Sequence, residues 1–195
     1  MNKVVSESTG AFYQHYPRVA AIVTSHAAGR DNAMAAAWHM PISFKPPIYS
    51  VVVSPKRFSY RLIADSGEFG INFLPASGAG LVASVGGSKG SEIDKFQAFG
   101  IARDKPLKTS VAILKDAYAA YECKLVDDRP YGDHRLLLGE IVAVHCHKEA
   151  LTEEGTLNLE RVSPVLYLGS DHYLDISECV IKTLDREFCA DCLKV

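Results

Sequence analysis

No run of about 18 apolar residues occurs in these 195 residues, so no helix is expected to cross a membrane. The opening MNKVVSESTG lacks the apolar core of a secretory signal, and the chain is expected in the cytoplasm. No block of basic residues is present, and a formal net charge of −2 offers little attraction to a nucleic-acid backbone. Five cysteines, an odd number unevenly spread, fit a reducing compartment better than a disulfide framework. There is no internal repeat and no regular alternation of strand and helix, which argues against a doubly wound parallel sheet. Tryptophan occurs once, at Trp38.

What remains is ordinary for a globular chain, 48% apolar and 23% charged, enough for one full core. We read one domain over residues 1–175 and a tail, 176–195, that holds three of the five cysteines. β-Branched content predicts strands at Arg18–His26, Ile48–Val53, Glu68–Leu74, Ala119–Asp128, Arg135–His147 and Val165–Leu168. Asn32–His39 is assigned as the hairpin partner of the first strand, although its alanines favour a helix, because it is short and is stopped by Pro41. Gly29 supplies the positive φ that the intervening loop needs. The unbroken apolar run Ile48–Val53 implies burial on both faces.

Ser54 as N-cap, with Pro55 at the first helical position, predicts a helix closed by Ser66-Gly67. Residues 77–90, rich in Gly and Ser, are expected to mix a short helix with a loop. A further helix is expected over Ser91–Phe99, capped by Ser91. Strands that dominate short helices point to a mainly β fold, a closed or nearly closed antiparallel barrel with helical insertions.

The stretch from Asn32 to Ser59 gathers the chemistry. Ala35, Ala36 and Ala37 let a flat ligand approach the backbone, and Trp38 can wall such a ring. Ser54, Lys56, Arg57 and Ser59 then place two cations and two hydroxyls beside a helix start, where an anion is well held. Asn72 and Lys95 are further candidate donors. The residues alone leave a second reading open, in which a small-residue strand and a basic helix start serve packing and solubility.

The order N-x-M-x-x-x-W-H-x-P-x-S-x-x-P-P (Asn32 to Pro47) followed by S-P-x-R-F-S (Ser54 to Ser59) resembles the flavin reductase-like family, in particular its flavoredoxin-type branch. S-G-E-F-x-x-N (Ser66 to Asn72), D-K-F (Asp94 to Phe96), G-D-H (Gly132 to His134) and L-Y-L-G (Leu166 to Gly169) stand in similar order, so the likeness covers about residues 15–170. It implies an FMN-binding split barrel of Greek-key type, a homodimer, and hydride or electron transfer through FMN. Carried over by position, flavin contacts would come from Asn32, Met34, Ala35, Ala36, Ala37, Trp38, Ser54, Arg57, Ser59, Asn72 and Lys95. The flavin carries the redox chemistry, so no classical catalytic acid, base or nucleophile is required. NAD(P)H or a redox protein would be the donor, and free flavin, ferric complexes or a protein partner the acceptor. The alternative is a flavoredoxin-like FMN electron carrier with no small-molecule substrate of its own.

His134 is the candidate for substrate binding, since G-D-H lies near the nicotinamide in related reductases; otherwise Asp133 and His134 only satisfy a turn. His39 is either a ring neighbour or an edge residue facing water. His145 and His147 flank Cys146 at strand spacing, as a metal pair or as a solvated strand face, and no metal site is assigned. In the tail, Cys189-Ala-Asp-Cys192 with Cys179 upstream leaves three readings, a metal site completed by His172, a redox relay, or free thiols.

Overall fold

Two strands joined by the two-residue turn Ala28-Gly29 open the barrel, β2 (Ala21–Ala27) and β3 (Arg30–Ala36), preceded by the short β1 (Arg18–Val19). Both turn residues have positive φ, 50° and 74°, the twist that a tight hairpin requires. β4 (His39–Phe44), β5 (Pro47–Val53), α1 (Phe58–Ser66), β6 (Glu68–Phe73), α2 (Ala79–Gly87) and α3 (Lys95–Ala98) follow. The chain continues through β7 (Arg103–Asp104), β8 (Ile113–Leu114), β9 (Ala119–Tyr131), β10 (His134–Cys146), β11 (Leu166–Gly169) and β12 (His172–Leu174). This computed structural model describes residues 2–177, so the expectations for Cys179, Cys189 and Cys192 lie outside the described residues.

Seven strands pair antiparallel in the order β3-β2-β6-β9-β10-β5-β4. The two edges, β3 and β4, are consecutive in the chain and are joined only by Ala37 and Trp38. The sheet must therefore curl until its edges meet at that junction, and the seam opens away from it. Trp38 O accepts from Val52 N at 2.8 Å and fixes the junction to β5. β1, β11 and β12 form a separate three-stranded sheet.

Alternation along β2 feeds two cores. Val23 faces the barrel interior with Val51, Val53, Phe69, Ile71 and Leu137. Ile22 faces outward, under Val82, Val85, Phe96, Leu114 and Val165. Burial on both faces is why this strand reads as apolar throughout. Gly139 makes room inside the barrel, since a Cβ there would stand 2.4 Å from the Phe69 ring.

The alanine run is a strand, against helix propensity, because pairing with β2 and packing under α2 decide its form. A Cβ on Gly86 would lie 3.3 Å from the Ala35 Cβ, so helix and strand touch almost backbone to backbone. Beyond it, His39–Phe44 forms a strand that the sequence reading does not contain; Pro41 is tolerated because β4 is an edge. β5 buries Val51 and Val53 within, whereas Val52 is only half-buried on the outer face, so the apolar run is not wholly core.

Both predicted caps are corrected. Ser54 does not cap α1; Ser54 to Arg57 is a turn closed by Arg57 N donating to Ser54 O at 2.9 Å, and the helix begins at Phe58. Its far end is as expected, with Gly67 at φ 71°. The helix expected over Ser91–Phe99 shortens to α3, because Asp94 takes the capping bond from Gln97 N at 3.1 Å. β9 is longer than expected, β10 is shifted by one residue, and the two turn in two residues, Gly132-Asp133.

Glu122, fully buried on β9, accepts from the amides of Leu107, Lys108 and Thr109 at 2.6 to 2.8 Å, from Thr109 Oγ1, and from His145 Nε2 at 2.6 Å. Glu68 accepts likewise from Ser110. Two carboxylates thus strap the 107–110 loop to the barrel wall.

Candidate functional site

Where β3, the start of α1 and the 88–91 loop converge, a groove of about 490 Å³ is lined by Lys56, Arg57, Lys89 and Lys95, with Ser54, Ser59, Ser88 and Ser91. Among the described residues no carboxylate lines it. Asn32 Nδ2 donates to Ser59 Oγ at 2.7 Å, which ties β3 to the first turn of α1. Lys95 is 3% exposed and donates from Nζ to Ala33 O at 2.9 Å and to Val85 O at 2.6 Å. An ammonium has three donors, so one is left for a ligand. Burial, with the Arg57 charge adding to it, pushes Lys95 down to about 8. The loop is drawn in by Arg30, whose guanidinium lies 4.6 Å over the Phe58 ring and donates to Gly90 O. Only glycine fits at Gly90, since a Cβ would lie 2.0 Å from Asn32 Oδ1.

A narrower cleft of about 180 Å³ continues the groove along Met34, Ala35, Ala36, Ala37 and Trp38, sharing Ser54, Arg57 and His134 with it. Trp38 Nε1 donates to the Tyr16 hydroxyl at 3.0 Å. Its ring lies 5.1 Å from that of His134, tilted by 46°, and takes the edge of Phe12 at 5.9 Å. Past Trp38 a larger cavity, about 630 Å³, is bounded by Phe12, Arg18, Met40, Val52, Tyr131 and His134. The residues present combine a flat, small-residue floor, an aromatic wall and a cluster of cations, of which Lys89 is paired with Glu92 at 2.9 Å while Lys56, Arg57 and Lys95 have no carboxylate partner among the described residues. They fit a planar group with a doubly charged anionic tail.

Eleven sequence-derived candidates meet along this surface: Asn32, Met34, Ala35, Ala36, Ala37, Trp38, Ser54, Arg57, Ser59, Lys95 and His134. Asn72 does not join them. It is fully buried, donating to Ile22 O at 3.1 Å and Thr24 Oγ1 at 3.2 Å and accepting from Leu114 N at 2.9 Å, so its amide is spent within the core. His39 does not face water; it bonds the Tyr49 hydroxyl at 2.8 Å and Val19 O at 2.9 Å, and burial lowers its pKa. His145 does not lie on a solvated face but is committed to Glu122. The sequence reading missed Ser88, Lys89 and Ser91, whose signal was the lysine inside the Gly-Ser run.

A model of the flavin reductase like domain matches residues 13–176. The chain belongs to the flavin reductase-like family. An uncharacterised protein of Aeropyrum pernix is 34% identical over 155 residues, 79% of this chain, and the chain spans 58% of that relative's length. A ferric-chelate reductase (NAD(P)H) of Archaeoglobus fulgidus is 29% identical over 131 residues, covering 66% of this chain and 76% of the relative. Among solved structures, an FMN-binding protein from Thermus thermophilus, with 1-cyclohex-2-enone bound, superposes with a TM-score of 0.82 at 32% identity. That match covers 94% of this chain and 99% of the Thermus chain. A flavoredoxin from Methanosarcina acetivorans shares the fold, with a TM-score of 0.82 at 22% identity over 97% of this chain and 100% of its own. The flavin reductase-like fold thus accounts for the split barrel, and the groove runs along its seam.

Proposed function

We propose that this chain is an FMN-dependent oxidoreductase that takes electrons from a dihydronicotinamide and passes them to flavin, a ferric complex or a redox protein. The observation that carries this reading is the carboxylate-free groove of Lys56, Arg57, Lys89 and Lys95, opening onto the Ala35–Trp38 strip. Arg57 and Lys95, with Ser54, Ser59 and the 88–91 loop, would hold the phosphate of FMN. The backbone of Met34 to Trp38 would bear the flavin ring, and His134 would face the partner that stacks on it. Bound FMN supplies the capacity to accept a hydride and release electrons singly or in pairs. The protein's residues bind the tail, orient the ring and exclude water from one face through Trp38, Phe12 and Val52. The ferric-chelate reductase relative and the FMN-binding Thermus protein support the same reading.

We further propose a homodimer, since β4 presents Met40, Ile42 and Phe44 at 50%, 44% and 94% exposure beside the cavity. Among the described residues no helix is long and apolar enough to cross a membrane.

The test is the visible spectrum of the protein reconstituted with FMN, before and after anaerobic NADPH. Rapid bleaching of a bound-flavin spectrum is expected. A flavin that binds but persists would leave an electron carrier reduced by another protein, and a protein that takes up no FMN sinks the reading.

A further inference from the structure

Arg18 stands apart from the cationic groove, in the wall of the larger cavity beyond Trp38. It is half-buried on β1, and its Nη2 donates to His39 O at 3.1 Å, one residue after Trp38. A guanidinium carries five donors, and among the described residues this one makes a single hydrogen bond. Among the same residues no carboxylate pairs with it. Asp133, which also borders the cavity, is bonded to His134 Nδ1 at 2.7 Å, and its side chain is 94% exposed. The other walls are largely apolar or aromatic, among them Phe12, Trp38, Val52 and Leu136. At about 630 Å³ the cavity has the size of a small-molecule site. A charge unpaired against apolar walls is costly, and the planar fork of arginine matches a carboxylate through two parallel hydrogen bonds.

We propose that this cavity binds an aromatic carboxylate, with its acid group on the Arg18 fork and its ring among Phe12, Trp38, Val52 and Leu136. Arg18 is then a specificity-determining residue that separates an aromatic acid from its uncharged amide. The inference goes beyond the reading under Proposed function, in which Arg57 and Lys95 hold the anion of a different molecule and Arg18 has no part. Lysine at this position would keep the charge but lose the fork.

Trp38 is the single tryptophan, so its indole N–H gives one ¹⁵N–¹H signal that reports on the cavity wall. The full chain, loaded with FMN or flavin-free should it bind none, is titrated with 2-naphthoate and with 2-naphthamide, an uncharged analogue of the same shape. Naphthoate is expected to move the indole signal with a Kd roughly tenfold lower than naphthamide, the size of one hydrogen bond to a charged group. In Arg18→Met that preference should vanish while the naphthamide Kd stays as it was, which also shows the cavity intact. In Arg18→Lys it should fall severalfold. Equal Kd values in the unmodified protein, or an indole signal that neither compound moves, overturn the inference. So does a preference that survives in Arg18→Met, which would assign the carboxylate to the Arg57 groove. Should Arg18→Met not fold, Arg18→Lys decides, and an unchanged preference there overturns the inference. A failure to bind FMN overturns the reading under Proposed function alone.

Discussion

The amide of Asn32 and the hydroxyl of Ser59, 27 residues apart, meet at 2.7 Å with both side chains buried. This bond joins the small-residue strand to the cationic turn, and so joins the two halves of the groove. Ser59→Ala leaves a buried amide donor unpaired. The expected loss is about 1–3 kcal/mol of stability, read from the urea midpoint, together with weaker FMN binding. An unchanged midpoint would mean that the joint carries no weight.

The Arg57 guanidinium has no hydrogen-bond partner among the described residues, and Arg57 lines the groove. Arg57→Ala is expected to weaken FMN by about 1.5–3 kcal/mol, the range for a hydrogen bond to a charged group. Riboflavin, which lacks the phosphate, should bind both proteins alike. Equal losses for the two ligands would move Arg57 from the phosphate to the ring.

Lys95 gives a pH signature. The folded protein releases its proton at about 8, whereas an unfolded lysine does so near 10.4. Between these values the unfolded chain binds more protons, so the stability of flavin-free protein should rise with pH across that window. Lys95→Met removes the titrating group and should flatten the rise. Denaturant midpoints at pH 7.5 and 10 in both proteins decide it.

Glu122 acts at the other end of the scale. Burial pushes its carboxyl up, but hydrogen bonds from His145, from the Leu107 and Lys108 amides and from Thr109 outweigh that and hold it at about 2. Its contribution is complete above about 4.5, the unfolded value, and is lost as pH falls towards about 2. Glu122→Gln should cost roughly 1.5–3 kcal/mol at neutral pH and leave a flatter acid limb. Equal midpoints at pH 6 would remove Glu122 from the stability of the barrel.

Phe44, 94% exposed on the edge strand, tests the dimer. Phe44→Asp should shift the mass by light scattering from dimer to monomer. A monomer before substitution would refute the dimer, and a dimer that persists would place its interface elsewhere.

Local pattern made much of this legible. The β-branched runs, the Ala28-Gly29 turn, the Gly67 stop and the linear order from Asn32 to Ser59 all act between near neighbours, so one sequence carries them. The same adjacency made Met34 to Trp38 and Ser54 to Ser59 readable as one site. Long-range contacts stayed hidden. Nothing local says that Asn72 spends its amide on Ile22, Thr24 and Leu114, or that His39 is held by Tyr49 and Val19. Nor does sequence spacing bring the 88–91 loop over β3, since Arg30 reaches Gly90 across 60 residues.

The sequence by itself determined the strand content, the position of the main turns and the residue types that suit a flat ring with an anionic tail. Tertiary structure decided which donors remain free, because a polar group is available to a ligand only if the fold has not already paired it. It also decided that the edges of the sheet meet at Ala37-Trp38, and this closure places the cations, the alanines and His134 along one seam.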